Sequence, residues 1–177
     1  LWKNLAEKLG LKVEWVTGDW RHGIDPDVVE QHLRADKGHS IKAVLAVHTE
    51  TSSGATSGIK QIREAIDAAN HPALLMVDAV SSLGCSDFRH DDWGVDVSIS
   101  ASQKGLMLPP GLCFNAVSEK ALQASKHSGF HHSYWSWKEM LELNKKGYFP
   151  YTPSTNLLYG LDEALSMLHA EGMDCVI

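Results

Sequence analysis

The sequence predicts an α/β fold, a mostly parallel sheet between helix layers. Three observations point there. Helix-like and strand-like stretches alternate along the chain. The run Ile41 to His48, IKAVLAVH, is nearly all apolar, the pattern of a strand covered on both faces by helices. Two later strand-like runs each lead to one chemically active residue at the carboxyl end, Asp78 and Lys104, where open α/β sheets hold their ligands.

The alternation begins with a helix over Leu1 to Leu9, ended by Gly10, and a short strand over Lys12 to Val16. A turn around Gly18 and Gly23 leads to a helix opening at Asp25-Pro26. Aspartate suits the cap, and proline suits the first helical position, where no N–H is needed. After the strand Ile41 to His48 comes Thr49-Glu50-Thr51-Ser52-Ser53-Gly54, then a helix from about Ile59 to Ala69. Hydroxyls and free amides crowded at a strand's carboxyl end suit a phenolate or an anion. The same composition suits a loop that caps its own neighbours. Further on, Gly147 to Pro153, GYFPYTP, is rigid and aromatic and leads into a helix over Ser154 to Ala170. No repeat, low-complexity tract or linker interrupts the order, so one domain without an internal boundary is expected.

Composition excludes several classes of function. The chain has 177 residues, 44% hydrophobic and 21% charged, which is that of a globular chain rather than a disordered or fibrous one. A net charge of −6 and the absence of any basic run argue against a nucleic-acid or anionic-membrane surface. The expected partner is a small molecule or another subunit. Cys85, Cys113 and Cys175 are odd in number and lack zinc-ligand spacing, so a reducing, cytoplasmic setting is expected. No apolar run reaches the roughly 18 residues that span a bilayer. Both ends of the sequence read as cut.

Lys104 stands at the centre of Val95 to Gly111, VDVSISASQKGLMLPPG. A strand over Val95 to Ile99 breaks into the small polar turn Ser100-Ala101-Ser102-Gln103. Gly105, Pro109, Pro110 and Gly111 then forbid a long helix, so the lysine sits on a constrained turn. A solvated surface lysine is the ordinary account of any one lysine. A lysine held at a strand end is also where a Schiff-base lysine would be. In the stretch Ala73 to Gly84, ALLMVDAVSSLG, an apolar strand closes on a single acid, Asp78. Such an acid is costly unless something cationic meets it. In pyridoxal-phosphate (PLP) enzymes that cation is the protonated ring nitrogen, and a lysine further along holds the cofactor covalently. A cap on the residues that follow is the plainer account of Asp78. Asp96 reads as a turn residue rather than a second acid. His127, His131 and His132 invite a metal reading, but no acid or cysteine stands at ligand spacing, so no metal site is expected. With Tyr134, Trp135 and Trp137 they suit an interface or pocket lining, or else a partly buried aromatic patch.

Four runs in one order carry a resemblance: HTETSSG (His48 to Gly54), LLMVDAVSSLG (Leu74 to Gly84), DFRHDDWGVDVSISASQKGLMLPPGL (Asp87 to Leu112) and GYFPYTPSTNLLYGLDEAL (Gly147 to Leu165). Together they resemble the class V aminotransferases, and most of all the serine–glyoxylate and alanine–glyoxylate branch. The resemblance implies an aspartate-aminotransferase-like PLP-dependent transferase large domain, incomplete here. Residues 1–177 would be part of that PLP-binding domain, with an N-terminal segment and a C-terminal small domain missing.

The implied reaction moves an amino group from L-serine or L-alanine to glyoxylate. Lys104 would hold the cofactor and Asp78 would face the ring nitrogen. Thr51 would bond the 3-hydroxyl group, Val80 would lie on the ring, and Gln103 would reach the phosphate. Tyr148 and Thr152 would serve the phosphate of a neighbouring subunit in a homodimer. Ser53 stands where members often carry threonine, and Ala101 where glycine is frequent. Other class V outcomes, lyase or desulfurase, share these residues. A non-catalytic paralogue acting as an interaction module would keep the sheet without them.

Overall fold

The computed structural model describes residues 1–130 and 133–177. Helix α1 spans Trp2–Lys8 and α2 spans Pro26–Ala35. The Asp25 side chain accepts the Asp27 amide, and Pro26 fills the first helical position, as the sequence predicts. Strand β1 is Ala43–Val47, helix α3 is Ile59–Ala68 and strand β2 is Leu74–Asp78. Strand β3 is Val97–Ala101 and β4 is Cys113–Val117. Helices α4 (Glu119–Ser125), α5 (Trp137–Asn144), α6 (Thr155–Glu171) and α7 (Met173–Val176) complete the order.

The four strands form one sheet in the order β1-β2-β3-β4. The first three run parallel, and β4 is antiparallel to β3. Helix α3 places Ile59, Ile62 and Ile66 on one stripe, the period that aligns a helix face with a sheet. These meet Leu33 of α2, Ala46 of β1, Leu75 and Val77 of β2, and Ala73 and Val95, in one buried cluster. Val47 pairs with Asp78 and Asp78 with Ile99, so these three share a face. Ala46, Val77 and Ser98 share the other, the face that α3 covers.

Two expectations need correction. Lys12 to Val16 is not a strand. Alternation fits a strand only where a neighbouring edge offers hydrogen bonds, and no strand among the described residues pairs with this segment. Its residues are held by side chains instead: Glu14 contacts His32, and the Lys3 amine lies 5.7 Å over the Trp15 ring. The second correction concerns β1, an edge strand covered by helices on one face only. Leu45 is 46% exposed and Val47 37% exposed. Its apolar run therefore combines one buried face with one open apolar face. The helix predicted over Ser154 to Ala170 matches α6 closely. That helix packs on the β3–β4 loop, since a Cβ on Gly160 would fall 2.6 Å from Leu108 and one on Gly111 would fall 2.5 Å from Leu157.

Candidate functional site

Because β1, β2 and β3 run parallel, their carboxyl ends lie along one edge of the sheet, and three turns leave from it. The first follows β1. It closes by a bridge between Thr49 and Thr56. The Glu50 amide donates to the Ala55 carbonyl, the Gly54 amide to the Glu50 carbonyl, and the Ser52 amide to the Glu50 carboxylate. That last bond holds the Glu50 carboxyl below its ordinary pKa. These three amides serve the loop itself, whereas no bond is made by the Thr51 and Ser53 amides among the described residues. What the loop offers is the exposed Thr51, whose hydroxyl lies 2.5 Å from that of Ser81.

Ser81 belongs to the turn after β2. Asp78 ends that strand half-buried, and its Oδ1 accepts the Val80 amide at 2.9 Å. This is the cap foreseen as the plainer account, and it leaves Oδ2 without a hydrogen bond among the described residues. No lysine, arginine or histidine pairs with Asp78 among them. Val80 is half-buried and Ser82 fully buried.

The turn after β3 carries Gln103 and Lys104, both exposed. Its shape is fixed by Ser102, which is fully buried. The Ser102 hydroxyl donates to the Pro109 carbonyl at 2.7 Å and accepts the Leu112 amide at 3.2 Å. The Ser102 carbonyl accepts the Leu108 amide, and the Lys104 carbonyl accepts the Met107 amide at 2.8 Å. The lysine amine has no ion pair or hydrogen bond among the described residues.

Gly105 then lies directly on the turn after β2. A Cβ built on it would fall 2.2 Å from the Leu83 carbonyl oxygen and 2.7 Å from the Gly84 carbonyl carbon. Thr51, Asp78, Val80, Gln103 and Lys104 are thus gathered on three adjoining turns at one end of the sheet.

Tyr148 and Thr152 are not joined to that group by any hydrogen bond. Tyr148 is 68% exposed and Thr152 is exposed, at the entry to α6. Tyr134 and Trp135 are also exposed, and the Tyr134 ring lies 4.8 Å from that of Tyr151. Trp137, in the same segment, is half-buried. His131 and His132 lie outside the described residues.

Sequence reasoning missed several groups. Asp96 is a buried hub rather than a turn residue. Its Oδ1 accepts the Ser118 hydroxyl and its Oδ2 the Leu75 amide. Arg63 and Lys120 stand 3.5 and 3.6 Å from Oδ2. It ties β2, α3 and α4 together at the end of the sheet opposite Asp78. His48 is buried against Phe88 and Trp93, with ring centroids 5.3 and 5.7 Å away, and its Nδ1 has no partner among the described residues. Burial pushes its pKa down, and the charge of Asp87 partly opposes that.

The profile of the family described as Aminotransferase class-V matches residues 1–176. The chain belongs to the class-V aminotransferases. This class-V chain is 50% identical to a serine–glyoxylate aminotransferase of Methylorubrum extorquens, an alignment covering 99% of the chain and 45% of that relative. It is 43% identical to an L-aspartate–glyoxylate aminotransferase of Paracoccus denitrificans, over 99% of the chain and 44% of the relative. Among solved structures it superposes on the ureidoglycine–glyoxylate aminotransferase of Bacillus subtilis with a TM-score of 0.83 at 26% identity, covering 98% of this chain and 44% of that one. The class-V chain therefore spans less than half the length of the relatives it matches. The mostly parallel sheet flanked by helices is the fold of PLP-dependent transferases, as the sequence predicts.

Proposed function

We propose that the whole protein is a PLP-dependent aminotransferase that moves an amino group from L-serine or L-alanine to glyoxylate. On this reading residues 1–177 are part of its PLP-binding large domain, and an N-terminal segment and a small domain complete it. One observation carries the reading: an unpaired acid and an unpaired amine, Asp78 and Lys104, follow adjacent parallel strands on turns that touch. The residues present fit the cofactor. Asp78 is a half-buried carboxylate whose Oδ2 has no hydrogen bond and which has no cationic partner among the described residues, beside the apolar Val47 and Ile99. A carboxylate so placed is stabilised by a cation arriving from outside the chain.

PLP bound there supplies the electron sink for the substrate's Cα bonds. The chain's own residues do the rest. Asp78 keeps a proton on the pyridine nitrogen. Lys104 would hold the cofactor and would serve as the general base at the substrate's Cα. Thr51 would donate its hydroxyl proton to the cofactor's 3-oxygen, and Val80 would pack on the ring. The Gln103 side-chain amide donates to the phosphate. Tyr148 and Thr152, whose exposed side chains make no hydrogen bond among the described residues, would donate across the interface of a homodimer, which the exposed Tyr134, Trp135 and Tyr148 favour. Three exposed, unpaired cysteines agree with a cytoplasmic location, and no helix among the described residues is long and apolar enough to cross a membrane.

The test is made on the full-length protein with PLP, glyoxylate and L-serine, L-alanine or L-aspartate, following glycine. Glycine formation from serine or alanine supports the reading; formation from aspartate alone would move the donor to that of the Paracoccus relative. Borohydride reduction and peptide mapping should label Lys104. A label on Lys42, Lys60 or Lys120 would remove Lys104 from its role.

A further inference from the structure

We propose that the backbone contact between Gly84 and Gly105 is a positioning device that sets Lys104 against the turn of Asp78. The inference rests on the functional reading above and concerns how this chain aims its amine. Lys104 and Gly105 are neighbours on the β3–β4 loop, and Gly84 ends the turn that begins at Asp78. A Cβ on Gly105 would meet the Leu83 oxygen at 2.2 Å and the Gly84 Cα at 2.9 Å, where an ordinary contact begins near 3.4 Å. Relieving that clash requires a movement of about 1 Å. The obstacle is backbone, which no rotamer change can remove.

The rest of the loop cannot absorb the movement. Ser102 pins one side through Pro109 and Leu112, and the Met107 amide binds the Lys104 carbonyl on the other. The displacement therefore passes to Lys104 itself. From the opposite side the fit is gentler: a Cβ on Gly84 would lie 3.2 Å from the Gly105 carbonyl. Gly84 also holds φ +74°, a conformation that asparagine tolerates among the larger residues.

The step affected is covalent capture. The neutral Lys104 amine attacks the PLP aldehyde carbon, a C=N bond replaces the C=O bond, and the oxygen leaves as water with both amine protons. Noncovalent binding does not require that aim. Pyridoxamine phosphate carries an amine in place of the aldehyde, so it occupies the same pocket without bonding to Lys104.

The experiment compares full-length Gly105→Ala with the parent protein. It measures the rate of PLP capture by borohydride trapping at Lys104 and the affinity for pyridoxamine phosphate. The expected result is capture slowed about ten- to a hundredfold, with pyridoxamine phosphate affinity held within about twofold of the parent. Capture at the parental rate would overturn the proposal. So would a loss of both properties together, which marks a merely structural role. Should Gly105→Ala fail to fold, Gly84→Asn applies a smaller push at the same contact and should slow capture by about threefold; parental capture there overturns the proposal too. A parent protein that binds neither compound would refute the functional reading, a result distinct from any of these.

Discussion

Thr51 and Ser81 join the turn after β1 to the turn after β2 through a hydrogen bond of 2.5 Å between their hydroxyl groups. When Ser81 donates, the Thr51 proton is left free for an acceptor outside the chain. Ser81 then acts through Thr51 rather than on the ligand. Ser81→Ala should weaken PLP binding about fivefold, in keeping with one hydrogen bond. Thr51→Ala should weaken it more, and the double variant should be no worse than Thr51→Ala alone. Absorbance titrations with PLP test this; additive losses would show that the two hydroxyls act separately.

Asp78→Ala should cost turnover far more than cofactor affinity. Removing the counter-charge lets the ring nitrogen lose its proton, a loss felt chiefly in the transition state. Steady-state kinetics beside PLP titration separate the two. A variant with the parental kcat would transfer the role to another group.

Asp96→Ala should destabilise the fold by about 3 kcal/mol, since it leaves the buried Leu75 amide and the Ser118 hydroxyl without their acceptor and Arg63 with Asp67 alone. The Arg63 Nε has no hydrogen-bond partner among the described residues, and Asp67 is the carboxylate that would remain to its guanidinium. Denaturant melts measure it. A shift under about 0.5 kcal/mol would make the cluster a surface ornament of the kind solvent screens away.

His48 should make stability fall as pH drops. Burial lowers its folded pKa below the ordinary 6.5, so above that value the ring is neutral in both states and contributes no slope. Below it the unfolded chain takes up a proton that the folded chain resists, and stability is lost progressively towards the folded pKa. Denaturation midpoints between about pH 7.5 and 5.5 should fall less in His48→Phe than in the parent protein. Equal slopes would place the acid sensitivity elsewhere.

The strands that hold the site were legible because each is a local event. Ala43–Val47 and Leu74–Asp78 fall within apolar runs closed by polar turns, and Val97–Ala101 overlaps the expected strand Val95 to Ile99 but runs on through Ser100 and Ala101, which pair with Phe114 and Cys113. Asp78 and Lys104 stood out because each is chemically misplaced at such an end. What escaped depends on partners far along the chain. Cys113–Val117 has no clean alternation and is a strand because Ala101 to Val97 lie opposite it. Lys12 to Val16 does alternate and is not a strand, because no edge receives it. Asp96 reads as a turn residue until Arg63, Lys120 and Leu75, all at least 21 residues away, converge on it. The contact of Gly105 with Gly84 is invisible in both glycines taken singly.

The buried Ser102 decides when the disorder of the β3–β4 loop is given up. Its hydroxyl and carbonyl fasten Pro109, Leu112 and Leu108, so the loop carrying Lys104 loses its conformational entropy as the chain folds rather than when a ligand arrives. The Leu108 and Leu112 amides should accordingly exchange with solvent only through openings as rare as those of the sheet, although Lys104, a few residues away, stands in water.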